Sequence, residues 1–142
     1  RLPVSNHDLV ISVAGGLDIR EPAADLAIAL AIASSMTDRP VDEAVAVAGE
    51  IGLAGELRPV PRADRRVAEA ARLGFETCLV PEAGESVSGD ASGVAGRSVT
   101  VMRAGSIAEA VKFALRPRLG PDESGAVSET MSIAEIGRAG VS

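Results

Sequence analysis

The chain has 142 residues, of which 46% are hydrophobic and 24% charged, and its net charge is −6 at pH 7. A chain of this length can bury about two thirds of its unfolded surface in one core, so we expect one compact domain. No apolar run reaches the roughly 18 residues of a membrane-spanning helix, because Asp25 and Asp38 bracket the longest one. No signal-peptide pattern precedes the first predicted strand, and we expect a soluble cytoplasmic protein with no membrane partner.

The core of such a domain must be built from aliphatic side chains. Phe75 and Phe113 are the only aromatic residues, and Val, Ile, Leu and Ala supply the rest of the core. This composition fits helices packed on a sheet of β-branched strands. Cys78 is the only cysteine, and its place in a predicted strand indicates a buried small hydrophobe without a redox or metal role.

The N-terminal part of the chain predicts a strand, a turn and a long helix. The strand is expected over Leu9–Ala14, and the Gly-Gly pair after it gives a turn without the spacing of a phosphate-binding loop. The helix is predicted over Pro22–Met36. Pro22 suits its first position because the missing N–H would be unpaired there, and Glu21 places a negative charge at the positive end of the helix dipole.

The predicted helix carries apolar side chains on nearly all of its circumference. Leu26, Leu30 and Ala33 lie on one face, whereas Ile28 and Ile32 lie on another. A helix that is apolar all round is buried on more than one side. We therefore expect a sheet against one face and a partner against the other.

A glycine-rich region follows and predicts a pair of strands. They are expected over Val45–Ala48 and Leu53–Arg58. Pro59 and Pro61 end the pairing because neither has a backbone N–H to donate. The apolar period then becomes helical, which predicts a helix over Ala63–Leu73.

The remaining elements complete a mixed α/β order. Two strands and a helix are predicted at Thr77–Val80, Ser98–Met102 and Ser106–Leu115. The interval 82–97 is rich in Gly and Ser and is predicted to be a loop. From residue 120 the sequence is polar and poor in core residues, which is typical of a flexible tail. The predicted organisation is one domain at 1–119 and a flexible C-terminal tail at 120–142.

Two motifs carry a family resemblance. They are EPAADLA at 21–27 and GEIGLAGELRPV at 49–60. Together they resemble the proteolytic domain of Lon-type proteases, and more specifically the C-terminal Lon-like domain of the bacterial RadA family, also called Sms. The resemblance covers roughly residues 8–115. It implies a Lon proteolytic-domain-like fold, also described as ribosomal protein S5 domain 2-like, in which helices pack on a mixed sheet.

The resemblance also shows which chemistry is missing. Lon-type proteases carry a serine in the turn before the first helix and a lysine at the start of the next long helix. The motifs place Ala23 at the serine position and Asp64 at the lysine position. Neither a methyl group nor a carboxylate can replace a hydroxyl and the amine that accepts its proton. The resemblance therefore implies no catalytic residue in this segment.

In the RadA family, the motor and metal-binding parts lie upstream of the Lon-like domain. They are a four-cysteine zinc finger and a RecA-like ATPase, so ATP, magnesium and zinc are expected there and no cofactor or metal is expected in this segment. The chain has one cysteine and no GxxxxGK[ST] motif, and it begins at Arg1 without a methionine. It therefore looks like an excised domain of a DNA-dependent ATPase and branch-migration helicase.

The function implied by the resemblance is structural. The segment is expected to be an oligomerisation scaffold and DNA-handling module in ATP-dependent branch migration during homologous recombination and DNA repair. The implied partners are further copies of the chain in a hexameric ring, single-stranded or branched DNA, and the recombinase RecA.

A cluster of arginines provides the candidate DNA contacts. Between residues 58 and 72 the sequence has five arginines and only two acidic residues, Asp64 and Glu69, so the net charge of this segment is +3. At helical spacing Arg65 can pair with Glu69, which leaves a solvated face with intrahelical ion pairs as the simplest interpretation. The alternative is contact with phosphates through the guanidinium groups, insensitive to base sequence and weakened by salt. The candidate DNA-binding residues are Arg58, Arg62, Arg65 and Arg66.

Other polar residues give weaker signals. His7 and Asp8 are adjacent, but neighbours on a strand point to opposite faces, which disfavours an acid/base pair. Three serines with no base in reach by pattern are interpreted as structural hydroxyls: Ser12, Ser34 and Ser35. An acidic group near the first helix is interpreted as surface charge in preference to a cation site: Asp18, Glu21 and Asp25.

Two alternative functions remain open at this stage. One is a Lon-family serine peptidase with a displaced nucleophile, for which Asp64 or His7 would be the local base. The other is a non-cleaving module that binds extended peptides along the predicted edge strand near Leu53–Leu57.

Overall fold

A computed structural model describes residues 8, 10–13, 18–84, 87, 90–92 and 98–117 of the chain. A 3₁₀ turn at Pro22–Ala24 precedes the first α-helix. The helices are α1 at Asp25–Thr37, α2 at Ala63–Leu73 and α3 at Ile107–Ala114. The strands are β1 at Val45–Val47, β2 at Glu50–Ile51, β3 at Leu57–Arg58, β4 at Thr77–Pro81, β5 at Asp90–Ser92 and β6 at Ser98–Ala104.

Four strands form the main sheet in the order β1, β4, β6, β5. β1, β4 and β6 run parallel, with Cys78 of β4 beside Ala46 of β1 and Val101 of β6. β5 runs antiparallel to β6. β2 and β3 form a separate antiparallel hairpin, in which Ile51 lies opposite Leu57. The predicted α/β class is confirmed, and α2 lies in the connection between the parallel strands β1 and β4.

The two faces of the sheet are covered by different helices. Alternate side chains of β4 point to opposite faces. Leu79 packs in one buried cluster with Leu26 and Leu30 of α1, and this cluster extends to α3. Val80 packs in a second cluster with Val67 of α2. Each buried leucine or valine of this aliphatic core contributes roughly 1.5–3 kcal/mol.

The second and third helices begin and end where local chemistry predicts. α2 has the predicted bounds, because its apolar side chains repeat along one face and Gly74, at φ 91°, adopts the left-handed conformation that ends it. α3 is capped by Ser106, whose hydroxyl accepts the Glu109 amide at 3.3 Å. The Glu109 carboxylate accepts the Gly105 amide at 2.8 Å in return.

Two of the predicted strands are wrong in whole or in part. Residues 10–13 form no strand, and Val10 is 94% exposed, because in the described part of the chain no neighbouring strand pairs with this segment. The prediction at Leu53–Arg58 is right only for β3. Leu53 lies in an exposed turn, since Gly55 at φ 85° reverses the chain, and β2 is the other strand of the hairpin.

The predicted loop at 82–97 is corrected by β5, which pairs with the edge of β6. β6 also extends to Ala104, beyond its predicted end. The predicted boundary at 119/120 and the tail lie outside the described residues. In the part of the chain that the structure describes, no helix is long and apolar enough to cross a membrane.

The first helix is less buried than its sequence predicts. Its inner face, with Leu26 and Leu30, is buried against the sheet side of the domain. Ala27 and Ala31 are exposed, and Ile28 is half-buried. The prediction that α1 is buried on more than one side is therefore wrong for a single chain. None of the described residues covers this second face of the helix.

Gly49 fastens the start of α1 to the chain that follows β1. Its N–H donates to the Ala23 carbonyl at 2.9 Å, and its own carbonyl accepts the Leu26 N–H at 3.0 Å. A Cβ at Gly49 would lie 3.1 Å from Cδ2 of Leu26, a side chain with 0% exposure. The two backbones can approach this closely only because glycine has no side chain.

Gly49→Ala is expected to lower the free energy of unfolding by about 1–3 kcal/mol, because the added methyl group overpacks against Leu26. Urea unfolding followed by circular dichroism measures the change. Gly105→Ala is the matched control, since its Cβ would meet only the flexible ends of Glu82, at 3.0 Å, and Glu109, at 3.6 Å. Equal losses in the two variants would contradict the special role of Gly49.

Candidate functional site

The two motifs that carry the family resemblance meet in the structure. In addition to the Gly49 hydrogen bonds, the Asp25 carboxylate accepts the Ile51 amide at 3.4 Å. The Glu21 carboxylate lies 3.2 Å from the Arg66 guanidinium of α2. The start of α1, the hairpin and the start of α2 are thus joined at one place, which we call the motif junction.

The motif junction holds no nucleophile at the serine position of Lon-type proteases. Ala23 is 4% exposed and lies in the buried cluster that contains Ala63 and Val67. Asp64 is exposed in the first turn of α2, where its negative charge suits the helix dipole. The two positions therefore present a buried methyl group and a solvated carboxylate.

A cleft of about 460 Å³ opens between β1 and α2, next to the motif junction. Buried or half-buried side chains form its floor, among them Ala46, Ala48, Ala70, Phe75 and Cys78. Charged side chains lie around it: Glu21, Arg62, Arg65, Arg66 and Glu69. Leu73, 59% exposed, also lines the cleft. The rim carries three arginines and two carboxylates, so its net charge is positive.

Two of the candidate DNA-binding arginines are engaged within the domain. The Arg66 Nε donates to the Pro61 carbonyl at 3.1 Å, and its guanidinium pairs with Glu21. Arg58 lies between two carboxylates, 3.3 Å from Glu56 and 3.7 Å from Glu50. Both guanidinium groups therefore join neighbouring segments of this chain.

The other two candidates are exposed on the cleft rim. Arg62 and Arg65 form no ion pair within the described residues. The predicted pairing of Arg65 with Glu69 is wrong, because Glu69 bonds instead to Arg72 at 2.8 Å. This hydrogen bond lowers the pKa of the Glu69 carboxyl and keeps it charged.

Arg62 also has an unusual backbone. Its φ of 57° lies in the left-handed region, which costs a non-glycine residue on the order of 1 kcal/mol or more. Arg62 immediately precedes α2, and its carbonyl accepts the Arg66 amide at 3.2 Å. No sequence pattern indicates this conformation, which lies at the start of the helix on the cleft rim.

The acidic residues near α1 do not converge. Asp18 pairs with Arg20 at 2.8 Å, Glu21 with Arg66, and Asp25 with a backbone amide. No group of three metal-ligating side chains is found among the described residues. Each carboxylate therefore has a separate structural role.

The remaining sequence candidates add no chemistry to the cleft. His7 lies outside the described residues. Ser12 is exposed, and Ser34 and Ser35 lie in the last turns of α1, away from the lining of the cleft. Cys78 is buried as predicted, and burial raises the pKa of its thiol to about 11, so the group is protonated at neutral pH.

Comparison with known proteins decides the family. The family model described as subunit ChlI of Mg-chelatase matches residues 2–84, more than half of the chain. The chain belongs to this ChlI family.

Three proteins similar to this chain carry the same name. The DNA repair protein RadA of Synechocystis sp. is 36% identical over 137 residues, which are 96% of this chain and 26% of that protein. The DNA repair protein RadA of Mycolicibacterium smegmatis is 51% identical over 81 residues, which are 57% of this chain and 17% of that protein. The Escherichia coli protein of the same name is 46% identical over 82 residues, which are 58% of this chain and 18% of that protein.

These similarities confirm the predicted relationship, and the chain is a RadA-related domain. It spans 26% or less of the length of the relatives described. The comparisons therefore concern one part of a RadA-type protein.

Arg66→Ala is expected to lower the free energy of unfolding by about 1 kcal/mol, because it removes a hydrogen bond and a partly shielded ion pair. Arg65→Ala, the neighbouring control, is expected to stay within about 0.5 kcal/mol of the parent chain. Chemical denaturation measures both. A larger loss for Arg65→Ala would contradict the division of the arginines into engaged and exposed groups.

Proposed function

We propose that this chain is the non-catalytic Lon-like domain of a RadA-type DNA repair protein. The name shared by its relatives supports the repair role. The observation that carries the non-catalytic part is Ala23, buried at the serine position while the motifs around it stay joined. The domain keeps a protease-like architecture and uses it to hold partners.

The role follows from the parts of the proposal. In the cytoplasm, the domain acts as an oligomerisation scaffold and DNA-handling module while an upstream ATPase drives branch migration during homologous recombination. ATP, magnesium and zinc belong to those upstream parts, and RecA is a further proposed partner of the whole protein. No cofactor or catalytic group is assigned to this segment.

The alternative activities lack support in the geometry. A displaced serine nucleophile needs a base within hydrogen-bond reach, and Asp64 lies exposed on α2 among arginines. Edge pairing of a peptide near Leu53 needs an extended strand, and that segment is a turn. We therefore assign neither peptidase nor edge-strand peptide binding to this chain.

The DNA contact is assigned to the two exposed arginines. Arg62 immediately precedes α2 and Arg65 lies in its first turn, next to a cleft that runs beside β1. A guanidinium without an internal carboxylate partner can bind phosphate oxygens without first breaking an ion pair. To bind a phosphate, Arg58 would first have to break its ion pair with Glu56, and Arg66 its ion pair with Glu21. The candidate set of four thus narrows to two.

The double variant Arg62→Ala/Arg65→Ala is expected to lose most of its affinity for fluorescein-labelled oligothymidylate at low salt, measured by anisotropy. The slope of log affinity against log salt should fall by roughly 0.7 for each phosphate contact removed. Arg72→Ala is the control, because Arg72 is paired with Glu69. Equal losses in the control, or no binding by the parent chain, would refute the assignment.

The assembly contact is assigned to the outer face of α1. Ala27 and Ala31 are exposed there beside the half-buried Ile28 and Ile32. Covering this face in a subunit contact would contribute roughly 25 cal/mol per Å² of apolar area before the cost of association. The proposed assembly is a hexameric ring with this face between adjacent subunits.

Light scattering after size-exclusion chromatography is expected to give the mass of a hexamer of the 14.4-kDa chain. Ala31→Glu should shift this mass toward the monomer, because it places a charge in the proposed contact. Ala68→Glu makes the same change on the exposed side of α2 and should leave the mass unchanged. A monomer at every concentration of the parent chain would place assembly elsewhere in the whole protein.

A further inference from the structure

The chain leaves the described part of the domain beside the segment that leads into β1. The Arg116 amide donates to the Pro40 carbonyl at 2.9 Å, and its guanidinium lies 2.8 Å from Asp42. Leu115 forms a bridge with Val41 just before this point. Everything after Pro117 is thus tethered near the start of the strand that borders the cleft.

The sequence after this point complements the cleft in charge. The stretch 121–136 contains four carboxylates and no basic residue. Its acidic and apolar side chains are interspersed, namely Asp122, Glu123, Val127, Glu129, Met131, Ile133, Glu135 and Ile136. The cleft offers the opposite charge through Arg62 and Arg65, and an apolar surface through Leu73.

We propose that residues 121–136 of this chain dock in the cleft between β1 and α2. The carboxylates face Arg62 and Arg65, and the apolar side chains cover Leu73 and the floor near Phe75. Charge-assisted hydrogen bonds orient the stretch, and burial of apolar area supplies the rest of the attraction.

The length of the connection fits this placement. β1 borders the cleft and spans about 10 Å from Val45 to Val47. Asp122 follows Pro117 by five residues, which cover about 17 Å when extended. A short tether also gives the stretch an effective concentration in the millimolar range, so weak contacts suffice.

If the cleft arginines bind DNA, as the proposed function has it, docking of residues 121–136 reduces that binding. The carboxylates and DNA phosphates would compete for the same two guanidinium groups. The stretch then acts as an internal competitor that lowers the affinity for DNA until it is displaced. The docking itself does not depend on DNA being the second ligand.

The docking is tested by ¹⁵N nuclear magnetic resonance of the full chain and of two variants. One variant ends at Gly120, and the other is D122N/E123Q/E129Q/E135Q, which keeps the length and removes the charges. Both should move the backbone and side-chain resonances of Arg62 and Arg65 and leave those of α3 unchanged. Identical spectra around the cleft in all three proteins would overturn the proposal.

A mixing experiment identifies whose stretch occupies the cleft. Labelled chain truncated at Gly120 is mixed with unlabelled full chain at equal concentration. Unchanged spectra of the labelled chain support docking within one chain, since the tethered copy outcompetes a free one. Shifts at Arg62 and Arg65 as large as those caused by truncation would overturn it in favour of a second copy. A synthetic peptide of residues 121–136 at high excess should restore the shifts, and failure to do so counts against the site.

Oligothymidylate binding separates this inference from the proposed function. If the stretch occupies the cleft nine tenths of the time, its removal should tighten DNA binding about tenfold. Resonance shifts without any DNA binding would leave the docking standing and refute the DNA assignment. DNA binding of equal strength with and without the stretch would refute the competition.

Discussion

Gly49 and the first turn of α1 are in direct backbone contact, and the geometry of the site depends on that contact. Two hydrogen bonds join Gly49 to Ala23 and Leu26, and the Leu26 side chain fills the space where a Cβ would lie. This fixes α1 against the chain that leaves β1. The ion pair of Glu21 with Arg66 then fixes α2 against both. The cleft is the space that remains between β1 and α2.

The same residue type performs two tasks at adjacent positions of α2. Arg65 and Arg66 differ by about 100° around the helix axis. That rotation directs Arg66 toward Glu21 and the Pro61 carbonyl, where it joins two segments of the domain. Arg65 points away and stays exposed. The whole chain has a net charge of −6, yet Arg62 and Arg65 form a small cationic surface. Neither forms an ion pair within the described residues.

Elements set by local rules could be predicted, and those set by distant partners could not. α2 was predicted with its correct bounds because its apolar period is clear and Gly74 ends it. The strand expected near Leu53 became a turn because Gly55 reverses the chain. The placement of Ala23 and Asp64 at the serine and lysine positions of Lon-type proteases rests on the family resemblance and stays a prediction. The engagement of Arg66 was not, because its partner is far away in the sequence and no local pattern indicates that the two meet.

The burial of Ala23 limits which side chains this position can accept. A serine at this position would place its hydroxyl in a site that is 4% exposed and lined by aliphatic groups. A buried hydroxyl without a partner costs about 1–3 kcal/mol, a sizeable share of the 5–15 kcal/mol that keeps a typical domain folded. A serine at position 23 would thus weaken the fold. The packing around Ala23 favours a small apolar side chain over a hydroxyl.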